Sequence, residues 1–417
     1  MSTKLQRHKL SSLIDVKRGQ SISGEYYASE GDYIRLTLAN FDYINGGFKK
    51  DNQKNDLFYT GPVKPECLLN EGDIITPLTE QALGLLGSTA RIPESGKYVQ
   101  SGDIALVTCK EGLLDPNFCY YLLPSKQVKK QLAAGSQQTK IRHTSPDAIK
   151  ACVVDIPDYE QQKRIGGFLS LLDRKIALNS SINNNLEALA KQIYGYWFVQ
   201  FDFPDENGRP YKSSGGKMVW NDRLKREIPK GWKVLPLFDA ADVQYGFPFS
   251  TDLFTEEETD IPIVRIRDIL GGTISAYSNE TPDEKYHLQK FDVIIGMDGN
   301  FHMNFWHDNS AYLNQRCVRI RPNTESIISS IQIYYDLKPY IKAKESNIQG
   351  STVGHLSDKD LKGLYLLCPV ANKFFQPKMV FDHLLSLQIH NRQQIISLTK
   401  QRNELLPLLM NGQVTIE

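Results

Sequence analysis

The sequence predicts a mixed α/β (α+β) protein with two tandem globular domains, each followed by a long α-helix. Three observations carry this expectation: an ordered series of matches between the two halves, two long polar segments with alternating 3–4 apolar spacing, and short apolar runs bounded by dense turn signals.

The repeat is weak at any one point and strong in its order. VKRGQSI (16–22) and VQYGFPF (243–249) align Gly19 with Gly246. YIRL (33–36) and IVRI (263–266) then align Arg35 with Arg265, and GDIIT (72–76) and FDVII (291–295) align Asp73 with Asp292. A tyrosine pair follows in each half, Tyr120–Tyr121 and Tyr334–Tyr335. GSQQTKI (135–141) then matches GSTVGHL (350–356), and IKACVVDIP (149–157) matches LKGLYLLCP (361–369). Apolar runs at 33–38, 73–76, 103–108, 152–156, 262–267, 292–296, 316–321 and 363–368 read as strands, and 117–133 and 325–344 as helices.

The two long segments read as coiled-coil helices. In the first, Ile165, Leu169, Leu172, Ile176, Asn179, Asn183, Leu186, Ala190, Ile193 and Trp197 alternate at 4 and 3. In the second, Leu384, Leu387, Asn391, Gln394, Leu398, Gln401, Leu405 and Leu408 do the same around a polar middle. At ~1.5 Å per residue, helices of roughly 35–40 residues span ~55–60 Å. They are expected to pair antiparallel under a pseudo-two-fold, through Leu172, Ile176, Asn179, Asn183 and Leu186 against Leu387, Asn391, Gln394 and Leu398. Asn179 should face Asn391, costing stability but fixing register. The alternative is two amphipathic helices, each packed on its own domain. The expected boundaries are 1–157 (domain one), 158–200 (helix one), 201–227 (a Gly/Pro/Ser-rich linker), 228–370 (domain two) and 371–417 (helix two).

Composition narrows the function. A chain of 417 residues with 41% hydrophobic and 23% charged residues affords folded domains, and a net charge of +1 excludes a uniformly basic coat. No apolar run reaches the ~18–20 residues of a membrane span. The N-terminus lacks the apolar core of a signal peptide, and the six cysteines form no CxxC, so reduced thiols in a cytoplasmic protein are expected. There is no GxSxG elbow. SSGGK (213–217) lacks the first glycine of a phosphate loop and has Met218 where Ser or Thr would hold magnesium. His302 and His307 lack a zinc-binding helical frame. No catalytic residue, no metal site and no cofactor of its own are expected.

What remains is a local capacity for nucleic acid. Residues 126–150 carry six Lys/Arg against one Asp, and residues 312–344 carry six against two, in corresponding parts of the repeat. Lys129, Lys130, Gln137, Gln138, Thr139, Lys140 and Arg142 in the first half are candidates for DNA contact, because Gln pairs with adenine and Arg or Lys with guanine. In the second half the candidates are Arg265, Arg267, Asn300, His302, Arg316, Ser351, Thr352 and His355. Two copies of one fold with different loop chemistry suit two different half-sites.

The layout of domain, helix, domain, helix resembles the specificity subunit of type I restriction–modification enzymes. IPDYEQQKRIGGFLSLLDRKI (156–176) is similar to that family's entry to a conserved helix, and IPKGWKVLPL (228–237) to the entry of a target-recognition domain. YGYWFVQFDFPDENGRPYKSSGGKMVW (194–220) resembles the family's segment between the halves, and GMDGNF with LNQRCVRIRP (313–322) the core of one recognition-domain subtype. The second helix departs from the pattern, entering through CPVANKFFQPKMVFDHLL without the Glu-Gln-Gln of the first. The resemblance implies a non-catalytic scaffold that reads a bipartite, asymmetric site in double-stranded DNA. It also implies two adenine-methyltransferase modification subunits as partners, with restriction subunits possible. S-adenosylmethionine, ATP and magnesium would belong to those partners. A protein scaffold with two protein-interaction domains and no DNA binding is the competing reading.

Overall fold

The computed structural model describes residues 4–42, 46–49, 57–80, 84–135, 142–258, 260–324, 326–346 and 354–417. The chain divides into two compact units, Met1–Ile176 with Ser397–Glu417, and Ala177–Ile396, so the division falls inside both long helices rather than at a connector.

In the first unit an antiparallel sheet runs in the order Ile14–Arg18, Ile104–Cys109, Ile74–Pro77, Ala90–Arg91. A second sheet runs Tyr27–Ala28, Leu57–Tyr59, Tyr33–Arg35, Tyr98–Val99, its last pair parallel. Gln6–Lys9 pairs with Val153–Ile156. These strands bury Val16, Ile74, Val107 and Val154, as their alternation requires. The helix expected over 117–133 is two helices, Pro116–Leu122 and Lys126–Gly135. Pro124, lacking an N–H, interrupts the ladder between them.

The second unit repeats this plan strand for strand. Its first sheet runs Ala241–Tyr245, Cys317–Pro322, Val293–Gly296, Met303–Phe305. Its second runs Phe254–Thr255, Tyr277–Ser278, Ile261–Val264, Tyr312–Leu313, again with a parallel last pair. Lys233–Pro236 pairs with Tyr365–Cys368. The strand expected over 262–267 stops at Val264, because Asp268 accepts from the Arg265 N–H and opens the short helix Ile266–Gly271.

The matched residues hold matched roles. A Cβ on Gly19 would collide with the backbone oxygens of Gln100 and Ser101, and one on Gly246 with that of Asn314. Asp73 accepts from the Asn70 N–H at 2.8 Å, as Asp292 does from Gln289 at 2.7 Å. Both tyrosine pairs meet edge to face, at 5.0 Å and 89° in the first unit and 5.2 Å and 87° in the second. A cation lies over the leading ring each time, Arg91 over Tyr120 and Lys338 over Tyr334.

The long helices are Tyr159–Tyr194 (36 residues) and Pro377–Met410 (34 residues). Within each unit their segments pair antiparallel. In the first unit Arg402 bonds Asp173 at 2.8 Å, and Leu409 and Met410 join Ile165 and Leu169 in one core. In the second, Asn179 bonds Gln394 at 2.9 Å, and Ala190 packs in one core with Phe381, Leu385 and Ile389. The first helix uses the expected seam, with no member exposed. The second helix keeps half of its expected seam, Leu384, Asn391, Leu398 and Leu405 not being exposed, and adds the residues beside it. Leu385, Gln388, Arg392, Ile395, Thr399, Arg402, Leu406 and Leu409 turn inward, whereas Leu387, Gln394, Gln401 and Leu408 are exposed. The partner of Asn179 is Gln394, itself among the expected pairing residues, and not Asn391. A polar helix middle leaves the apolar count nearly equal for two adjacent registers, and the leucines at both ends then decide.

The segment expected to be a linker is a packed part of the second unit. Phe201 and Phe203 are buried with Phe198, Trp232, Phe375 and Phe381, and Met218–Asn221 forms a hairpin with Arg226–Pro229.

A buried carboxylate ties this core to the first long helix. Asp336 accepts from the Tyr194 hydroxyl at 2.6 Å and from Gln332 at 3.3 Å. Burial pushes its pKa up to about 6, although the Tyr194 and Gln332 hydrogen bonds and nearby Arg226 pull the other way. An acid whose folded pKa is raised makes the folded state bind the proton more tightly. Its contribution is therefore greatest near pH 4, is lost as pH rises to about 6, and is flat above. Asp336→Asn is expected to stabilise the protein relative to wild type at pH 7 but not at pH 4. Urea midpoints at the two pH values test this, and equal differences at both would refute it.

Candidate nucleic-acid interface

At least half of the Lys and Arg residues in the two basic stretches are engaged by other groups of the protein. Arg319, 2% exposed, bonds Asp242 at 2.6 Å, and Arg321 bonds Asp292 through two contacts of 2.6 and 2.7 Å. Lys344 bonds Asp360, and Lys338 lies over the tyrosine pair. In the first unit Lys150 pairs with Asp147. Lys129 points inward, donating to the Gly84 carbonyl at 2.7 Å, and burial lowers its pKa. It is a structural lysine rather than a free phosphate ligand. Lys130 is exposed.

Other candidates divide similarly. Arg265 is engaged by Asp268 and Ser275 at the start of its helix and is a structural arginine, while Arg267 two residues on is exposed. Gln137, Gln138, Thr139, Lys140, Ser351 and Thr352 lie outside the described residues.

The remaining candidates converge. In the second unit the loop after Val293–Gly296 carries Asp298, Asn300 and His302. Met297 donates to the Arg316 carbonyl, Gly299 to the Gly354 carbonyl and Leu356 to the Met297 carbonyl. These bonds bring Asn300, Arg316 and His355, all exposed, and half-buried His302 to one end of the first sheet. Asp298 accepts from His355 Nδ1 at 2.6 Å and lies 3.4 Å from Arg316 Nε. His307, by contrast, is buried beside Asp308, and burial lowers its pKa.

The first unit builds the same corner from different residues. Thr79–Glu80 follows Ile74–Pro77 and pairs with Arg142–His143, Arg142 opposite Glu80. The isolated bridge Asp298–His355 is the counterpart of Thr79–His143, since Leu356 donates to the Met297 carbonyl as Thr144 does to that of Leu78; Glu80–Arg142 lies one residue further on, where the second unit has Gly299 and Gly354. Glu80 is buried, accepts from the N–H groups of Gly84, Leu85 and Leu86 at 2.8–3.1 Å, and lies 3.8 Å from Arg142 Nη1. Neither Glu80 nor Asp298 figured among the candidates. Their signal was positional, since each follows an aligned strand of the repeat.

This duplicated corner has a known relative. The family model described as the type I restriction modification DNA specificity domain matches residues 4–188 and again 229–400. The chain belongs to the type I specificity family. Both family copies cover a sheet pair and the long-helix segment that follows it. A similar protein is the MjaIX specificity subunit of Methanocaldococcus jannaschii, 26% identical over 327 residues, which span 74% of this chain and 71% of that one. The EcoBI specificity subunit of Escherichia coli is 30% identical over 184 residues, 44% of this chain and 37% of that one. A solved S subunit from M. genitalium shares the fold at a TM-score of 0.62 and 15% identity, over 98% of this chain and 96% of that one. As a type I specificity subunit, the chain recognises DNA sequence. Among the described residues, no helix is long and apolar enough to cross a membrane.

Proposed function

We propose that this specificity subunit is non-catalytic and reads a split, asymmetric DNA sequence, one half-site per family copy, while scaffolding two adenine-methyltransferase subunits in the cytoplasm. Restriction subunits join that core, and S-adenosylmethionine, ATP and magnesium are held by the partners. The observation that carries this reading is the duplicated corner. The same strand order presents Glu80–Arg142 in one half and Asp298–His355 with Arg316 in the other. One backbone plan with different polar groups suits two different base sequences.

The outward faces of the long helices support the docking of protein partners. Leu171, Leu178, Ile182, Leu189 and Tyr196 are exposed on the first helix at intervals of seven and four. Leu387, Gln401 and Leu408 are exposed at multiples of seven on the second. Such stripes fit partner helices.

Single-molecule mapping of N6-methyladenine in host DNA, with and without the gene, tests the reading. Loss of methylation at one split motif is expected, and replacing residues 1–157 with another recognition domain should change one half of that motif only. A methylome unaltered by deleting an expressed gene, or a swap that changes both halves, would refute it.

A further inference from the structure

Negative charge is unfavourable on a surface that meets phosphates, yet each half keeps a carboxylate at the corner offered to DNA. Glu80 and Asp298 both stand just past the strands Ile74–Pro77 and Val293–Gly296, one register position apart: Asp298 matches Thr79, and Glu80 matches Gly299. Each is cross-bridged to a residue near one of the candidate loops of the sequence: Glu80 to Arg142, which follows the candidates Gln137–Lys140, and Asp298 to His355, which follows the candidates Ser351 and Thr352.

The chemistry of the second corner is explicit. Asp298 lies 3.4 Å from Arg316 Nε, and no described residue accepts a hydrogen bond from the two Nη groups, so the guanidinium keeps a donor fork. Arg316 has a left-handed backbone (φ 67°), a conformation that costs a non-glycine residue energy and persists only when neighbours enforce it. Here the neighbours are the Met297 N–H, bonded to the Arg316 carbonyl at 2.8 Å, and the Asp298 carboxylate. On the other side the carboxylate takes His355 Nδ1 and leaves Nε2 unengaged on a ring that is 47% exposed. Asp298 thus holds a guanidinium and an imidazole side by side. In the first corner Glu80 gathers three backbone N–H groups with one oxygen and faces Arg142 with the other.

We propose that Glu80 and Asp298 are positioning residues for sequence readout, one for each half-site, which fix the orientation of Arg142 in the first and of Arg316 and His355 in the second. The proposal rests on the two-half-site reading above. It adds that discrimination between bases depends on carboxylates that need not touch DNA.

The test uses the full methyltransferase complex. Methylation rates are measured on duplexes in which each base of the split motif is varied in turn, for wild type, Asp298→Asn, Asp298→Glu and Glu80→Gln. Asp298→Asn should lose about tenfold in discrimination at bases of one half-site and leave the other unchanged, because an oriented bidentate contact distinguishes bases by about that factor or more. Asp298→Glu should recover most of it, and Glu80→Gln should affect the opposite half-site. Asp298 is 28% exposed, so its variants are expected to fold, and they carry the test alone if Glu80→Gln does not. Discrimination unchanged at every position, or lost equally in both half-sites, would overturn the positioning role. A wild-type complex with no split motif would instead overturn the reading beneath it.

Discussion

Arg321→Ala is expected to destabilise the second unit by ~3–5 kcal/mol, the cost of leaving a buried charge without its partner. Asp292 is fully buried, and Arg321 grips it through two contacts of 2.6 and 2.7 Å. The arginine also donates to the His287 carbonyl, so its loss strands an acceptor as well. The matched Asp73 of the first unit has no such arginine and is only half-buried, so the same argument gives no comparable effect there. Urea unfolding monitored by tryptophan fluorescence reads the change. Arg321→Met combined with Asp292→Leu should cost less than Arg321→Met alone, because the double variant leaves no orphaned charge. A double variant as unstable as the single one would mean that the site fails through packing instead.

Phe375→Ala should cost a similar ~3–5 kcal/mol, as a large aromatic removed from a packed interior does. Phe375 is fully buried, with its ring centroid 4.6 Å from that of Phe203, 5.3 Å from Trp197 and 5.9 Å from Trp232. It fastens the entry of the second long helix to the end of the first and to the segment between the two family copies. Thermal unfolding followed in the near-ultraviolet, where Trp197 and Trp232 report, measures the loss. Phe375→Leu should lose less, and an alanine variant melting with wild type would show that this aromatic cluster does not hold the unit together.

The pattern of what the sequence revealed follows from which residues are constrained by backbone and which by partners. Gly19 and Gly246 were legible because a backbone oxygen fills the space where a Cβ would stand. The strand runs were legible because both faces of the first sheets are covered, as the continuous burial of Ile74–Pro77 and Val293–Gly296 shows. The seam of the second helix was legible only in half, at Leu384, Asn391, Leu398 and Leu405, because Asn391 and Gln394 carry no apolar signal in its middle. The segment 201–217 was read as a linker from its glycines and serines, although Phe201 and Phe203 within it face a core supplied by distant residues. The basic stretches misled for the same reason. Asp242, Asp292 and Asp360 lie far along the chain from the cations they neutralise. Glu80 and Asp298 went unnoticed because a lone acid between apolar runs looks like a solvated turn. Only strand pairing brings each to its cation.

The discontinuity of the first unit has a consequence for synthesis. Leu409 and Met410 complete the core that Ile165 and Leu169 begin, so the ribosome releases the early residues of that unit long before their last apolar neighbours exist. At ~5–20 residues per second the intervening chain takes on the order of ten seconds or more to emerge. During that interval the leading half presents an uncovered greasy flank, while the continuous second unit can mature as soon as it clears the exit tunnel. The nascent polypeptide therefore closes its first-made part last. Chaperone occupancy along the message should peak after the codon for Ile176 and fall only once Leu409 and Met410 have emerged.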